Sequence, residues 1–182
     1  MKNFLLALTV AVAFAIFFGA GQRTEAATVN LCDFTLGQVI DRYNFVANAA
    51  KFPTTVKITT MPKANDSFRY KNYTVYSTFL GDEGHGVIFM LFTDRQNRVA
   101  EIGLIFGYED ELSSLARTMI LFSSFFAVGM DETEIKSLAG QLSSSNSASV
   151  WCNKLNRRIY LTQTYAPNGH QGLLQMNLYA ER

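Results

Sequence analysis

Directly behind Lys2 the chain runs uncharged and apolar from Phe4 to Gly21, and this run decides how much sequence is left to build a fold. A positive charge, a stretch rich in Leu, Val, Ala and Phe, and then the polar Gln22 to Glu25 have the layout of a secretory signal peptide. Thr24-Glu25-Ala26 places small residues at the two positions a signal peptidase reads, which sets the cut after Ala26 or Ala27. The competing reading is a retained anchor, because a helix of about 18 residues rises roughly 27 Å, enough for a bilayer core. Against it stand the cleavage-like small residues and the lack of a strong basic flank after the run. A lipid anchor on Cys32 fits worse, since Val29-Asn30-Leu31 lacks the small residue that precedes a lipidated cysteine. The expected organisation is a signal peptide over residues 1–26 and a single α+β domain over 27–182. That domain is expected to be extracytoplasmic, either periplasmic or secreted, with membrane contact only during export or if the N-terminal segment stays uncleaved.

Cleavage also sets the charge. Removing Lys2, Arg23 and Glu25 from 16 basic and 15 acidic residues leaves 14 of each. A neutral chain with no basic block has little long-range attraction for phosphate backbones, so nucleic acid is not an expected partner. A chain of this length buries a real core without metals or many cross-links. The two cysteines, Cys32 and Cys152, stand near opposite ends of it, and an oxidising compartment favours their pairing. A Cys32–Cys152 disulfide is therefore expected. A reactive thiol is the lesser alternative, with no adjacent His or CxxC spacing to lower its pKa.

Periodicity supplies the elements. Leu36, Val39, Ile40 and Tyr43 recur at helical spacing behind a Thr35/Gln38 capping box. After Pro53 the pattern changes to strands at Thr55–Thr60, Phe68–Tyr70 and Tyr73–Leu80, with Pro62–Ser67 read as a loop. Val87–Thr93 and Val99–Phe106, separated by Asp94-Arg95-Gln96-Asn97-Arg98, form the clearest hairpin. Glu109, Asp110 and Glu111 suit a helix start, and the helix that follows is apolar enough for a core, yet Arg117 and paired serines argue against a membrane span. Gly129 ends it, and Asp131 with Glu134 opens a shorter one. A serine-rich loop from Ser143 to Ser149 leads to three strands, Val150–Asn153, Arg157–Tyr165 and Leu173–Tyr179. This order implies an antiparallel sheet packed by helices on one face, with two helix-plus-strands halves that share no matching residue pattern.

Chemistry is sparse. His85 lies in Gly81-Asp82-Glu83-Gly84-His85-Gly86 and His170 in Asn168-Gly169-His170-Gln171-Gly172. Asp82, Glu83, His85 and His170 would make a metal site only if both turns met in space, and the plainer reading is two solvated hairpin turns. Neither a Gly-x-Ser-x-Gly elbow nor a phosphate-binding glycine loop occurs. No catalytic residues are assigned and no cofactor is implied. Tyr70, Tyr73 and Tyr76 are candidates for an outward surface suited to protein or glycan contacts. Phe122, Phe125 and Phe126 either fill the core or line a pocket for an apolar ligand. The leading expectation is a small exported binding or interaction module, with an unknown protein, glycan or apolar ligand as partner. The alternatives are a carrier holding an apolar small molecule between helix and sheet, and a metal-assisted hydrolase.

Overall fold

The computed structural model describes residues 28–70, 72–82, 85–107, 111–165 and 174–181. They form an α+β fold with one antiparallel sheet, seven strands in a continuous order and a two-residue eighth, and three α-helices packed on one of its faces. The strands are β1 (Thr28–Val29), β2 (Lys63–Tyr70), β3 (Tyr73–Asp82), β4 (His85–Thr93), β5 (Val99–Phe106), β6 (Ser147–Cys152), β7 (Arg157–Tyr165) and β8 (Leu174–Glu181). The helices are α1 (Leu36–Ala49), α2 (Glu111–Val128) and α3 (Glu132–Leu142). The order across the sheet is β2-β3-β4-β5-β8-β7-β6, with the two-residue β1 pairing with β8 in addition. One helix precedes a four-strand meander and two helices precede a three-strand meander, and the last strands of both, β5 and β8, pair at the centre.

Local chemistry accounts for the boundaries. Thr35 caps α1 through the reciprocal box with Gln38, and the helix buries Leu36, Val39, Ile40, Tyr43 and Ala47. In the β4–β5 turn, Asp94 accepts backbone N–H bonds from Gln96 and Arg98 at 2.8 and 2.9 Å, while Asn97 takes φ +60°. A short polar side chain can tolerate that left-handed backbone. Gly129, at φ +106°, ends α2 where a residue with a Cβ would be strained. None of the helices among the described residues is long and apolar enough to cross a membrane.

The expected strand at Thr55–Thr60 does not form, and the polar stretch expected as a loop becomes β2. Helix α1 explains the first difference. The Tyr43 hydroxyl donates to the Val56 carbonyl at 2.7 Å, and the Asn44 carboxamide bonds both the N–H and C=O of Ile58, at 2.9 and 2.8 Å. These side chains take the backbone groups that a neighbouring strand would have used, and Val56 and Ile58 are buried without a sheet. Strand β2 tolerates its polar sequence because it is an edge, with an irregularity between Ala64 and Arg69 in its pairing with β3.

The helix-side core joins Phe89, Leu91, Ile102, Leu104, Met176, Leu178 and Ile159 to α1, α2 and α3. Tyr43 meets Phe89 edge-on, with ring centroids 5.4 Å apart. Strand β5 is buried at every position, which is the expected pattern for a central strand with both faces covered.

The expected disulfide is corrected here: Cys32 and Cys152 are both buried and unbonded. Cys32 follows the strand that pairs with β8, whereas Cys152 ends the edge strand β6, and β7 runs between β8 and β6. The Cys152 thiol instead donates to Glu134 Oε2 at 3.3 Å. Burial raises both thiols from 9.0 to about 11, against the lowering effect of the backbone N–H of Phe34 on Cys32 and of Leu155 on Cys152. Burial pushes the Tyr43 phenol well above its usual range as well. All three groups are favoured neutral in the fold; the contribution of the two thiols to stability is complete below pH 9 and is lost as pH rises through about 11, while that of the phenol persists to higher pH. The melting temperature should be flat from pH 7 to 9 and fall steeply above it. Thiol counting on unreduced protein should find two groups that react only after denaturation. A count of zero would restore the cross-link.

Candidate functional site

Alternation along the strands sends one set of side chains away from the helices. On that second face the register places Val75, Phe92, Glu101, Tyr179, Tyr160 and Ser149 in one row across the sheet. The next row holds Ser77, Met90, Gly103, Asn177, Thr162 and Ser147. The two ends of this face differ in character. Toward β3–β5, Val75, Met90, Phe92 and Ile105 are buried and lie outside the helix-side core cluster. Gly103 makes room for them, because a Cβ there would lie 2.9 Å from Met90 Cε and 3.1 Å from Phe92 Cε2.

Toward β6–β8 the same face is polar and aromatic. Tyr160 and Tyr179 stack with centroids 5.3 Å apart and planes 12° from parallel. Trp151, the single tryptophan of the chain, is 45 % exposed on β6 and pairs in register with Arg158. That register sets Trp151 diagonally beside Tyr160, within reach of a large side chain. Gln175 donates from Nε2 to Asn177 Oδ1 at 3.1 Å. Gln175 is only 4 % exposed, and its Oε1 has no hydrogen-bond partner among the described residues. A buried amide oxygen left without a donor costs about 1–3 kcal/mol. Aromatic faces, a guanidinium, a side-chain hydroxyl at Thr162 and carboxamides thus share one half of one sheet face.

The candidates read from the sequence are scattered by comparison. Tyr76 packs on the helix-side core, and alternation turns Tyr73 to the opposite face, so the tyrosines of β3 do not form one surface. Tyr70 pairs in register with Tyr73, but its side chain lies outside the described set. Phe125 is part of the core. Phe122 and Phe126 lie against each other at 4.7 Å, and Phe52, which packs against the core, meets Phe122 at 6.1 Å. Asp82 and His85 are register partners at the β3–β4 hairpin, but their side chains, Glu83 and His170 all lie outside the described residues. Among the described residues no group of three or more His, Cys, Asp or Glu side chains is arranged to hold a metal.

Trp151, Arg158, Tyr160, Thr162, Gln175 and Asn177 were not singled out from the sequence. The signal that could have found them is the alternation of β7 and β8, where Leu174, Met176 and Leu178 point one way and Gln175 and Asn177 the other. No family model, curated protein or solved structure matches the chain.

Proposed function

We propose that the mature protein is a small exported binding module, without catalytic activity, whose recognition surface is the β6–β8 half of the sheet face turned away from the helices. The observation that carries this reading is the grouping of Trp151, Arg158, Tyr160 and Thr162 on one accessible surface beside the half-buried Asn177 carboxamide. Flat aromatic faces accept the apolar faces of sugar rings, while a carboxamide, a hydroxyl and a guanidinium bond hydroxyl groups in fixed directions. A glycan therefore fits this surface better than a purely apolar ligand. Export of the chain, as its N-terminal sequence implies, would bring the surface to where extracellular glycans occur.

Trp151 is a built-in reporter because the chain has no other tryptophan. Titrating the mature protein with a panel of neutral and acidic oligosaccharides should give a saturable change in its emission with at least one of them. Tyr160→Ala should weaken that binding by about tenfold or more, on the scale of one lost aromatic contact. Ile88→Ala, on the other half of the same face, should leave it unchanged. A panel that gives no saturable response, or binding that Tyr160→Ala does not affect, overturns the glycan reading.

A further inference from the structure

On the sheet face turned away from the helices, Met90 and Phe92 are fully buried, and Val75, Glu101, Ile105 and Gln175 are nearly so. The three helices and Val56 belong to the core on the opposite face and do not supply this cover. An antiparallel sheet with one bare face leaves the large side chains on it in contact with water. A methionine and a phenylalanine that share no surface with solvent therefore have atoms lying over them. Phe92, Glu101 and Tyr179 stand in one row of this face, and none of the three is without a partner. Four of the six covered side chains are apolar, so an apolar cover suits them. Among the stretches outside the described residues, 166–173 is short and rich in Asn, Gly, His and Gln, and 108–110 carries two acids. The run from Phe4 to Gly21 is long, apolar and uncharged.

Strand β1 fixes where that run joins the sheet. Thr28 pairs with Glu181 of β8, whose other side is taken by Arg158 of β7, so β1 stands in line with β5 at the centre of the sheet. Tyr179, the register partner of Glu101, lies two residues away along β8. The chain before Thr28 thus starts beside the covered row, and the stretch 22–27, reaching up to about 20 Å, is long enough to turn back over it. Charge agrees with this placement, because Arg23 falls within that stretch and Glu101 is a buried carboxylate in the row. We propose that the β3–β5 half of this face seats the chain's own N-terminal run, Phe4 to Gly21, until the segment is cleaved, and that cleavage opens an apolar surface beside the Tyr160–Tyr179 stack. The covered patch, from β3 to β8 and from the row of Glu101 to that of Ile105, measures about 14 Å in each direction. Coiled as a helix the run would reach about 27 Å, which crosses it with length to spare. Because the surface released adjoins the proposed recognition half, processing governs access to it, whereas the seating of the run does not depend on what that half binds.

The test uses the full chain, made by cell-free synthesis so that nothing is cleaved, with a protease site inserted after Glu25 and Met90→Cys as a reporter. Cys32 and Cys152 are buried on their own account, so a thiol reagent reads position 90. Before cutting, that thiol should be unreactive. After cutting and removal of the segment its reaction should speed up by about a hundredfold or more, the step from a site reached only through local opening to an exposed one. In the uncut chain, Val10→Asp with Phe14→Asp should give the same acceleration, since two charges in the run oppose its seating on an apolar face. A second measurement needs no cut: a benzophenone side chain in place of Phe92, photolysed in the full chain, should cross-link to residues 4–21. Protection of position 90 that survives removal of the segment, or a cross-link to 166–173, assigns the cover elsewhere and overturns the proposal. A reactive thiol in the uncut chain, or a full chain that inserts into phosphatidylcholine–phosphatidylglycerol vesicles with no cross-link to 4–21, overturns it as well.

Discussion

Phe89→Ala should lower the unfolding free energy by about 3–5 kcal/mol, the range for removing a fully buried aromatic ring. The ring projects from β4 into the helix-side core, where Tyr43 of α1 meets it edge-on at 5.4 Å. Its removal opens a cavity between the sheet and α1 and leaves the Tyr43 ring without its aromatic neighbour. Tyr43 cannot simply move into the space, because its hydroxyl is tied to the Val56 carbonyl at 2.7 Å. Denaturant titration should show the midpoint falling with the slope unchanged, since the same surface is exposed on unfolding. A loss below about 1 kcal/mol would mean that the core collapses around the gap far more freely than close packing allows. Phe89→Leu, which refills most of the volume, should recover over half of the loss.

The second large effect is expected at Glu134. This carboxylate is 93 % buried by area, being 7 % exposed, and it gathers three donors from two elements. It accepts from the Asp131 N–H at 2.8 Å, which closes the N-cap of α3, from the Asn153 N–H at 3.2 Å, and from the Cys152 thiol at 3.3 Å. Glu134→Ala strands all three at once, and the expected loss is about 3 kcal/mol, set by two backbone groups left without an acceptor and a broken capping box. Glu134→Gln retains one acceptor oxygen and should lose less. A double-mutant cycle with Cys152→Ala separates the weak thiol bond from the backbone terms, and a coupling below about 1 kcal/mol is expected there. Equal destabilisation by Ala and Gln would show that charge, and not acceptor count, holds the junction of α3 with β6.

These two residues illustrate different degrees of legibility. Glu134 is legible as the first-turn partner of Asp131 because a capping box is a relation between residues three apart, fixed by helix geometry alone. Its second role, joining α3 to the end of β6, depends on Cys152 and Asn153, which lie 18 and 19 residues further on. Nothing local encodes that meeting. The β4–β5 hairpin was legible for a similar reason: two apolar runs flank a turn whose Asp94 and Asn97 satisfy it with their own side chains and backbone. The stretch Thr55–Thr60 misled because β-branched residues fit a strand, whereas Tyr43 and Asn44 of the preceding helix had already claimed its backbone. The proposed recognition face is hidden in the same manner, since Trp151, Tyr160 and Asn177 come from three strands and become neighbours only through register.

The apolar run behind Lys2 set the expected limits of the mature chain, and the sequence alone determined the elements whose signals are local: the capped helices, the central hairpin and the alternation of β8. Tertiary structure decided which strand lies beside which, and therefore that β5 and β8 meet at the centre and that β6 stands at an edge where Gln141 bonds the N–H and C=O of Ser149. It also leaves unbonded two buried cysteines that compartment and count would have joined. The physical reason is common to these cases. Capping, turns and periodicity act over a few residues of chain, whereas pairing, burial and cross-linking depend on distances in space that no short stretch of sequence contains.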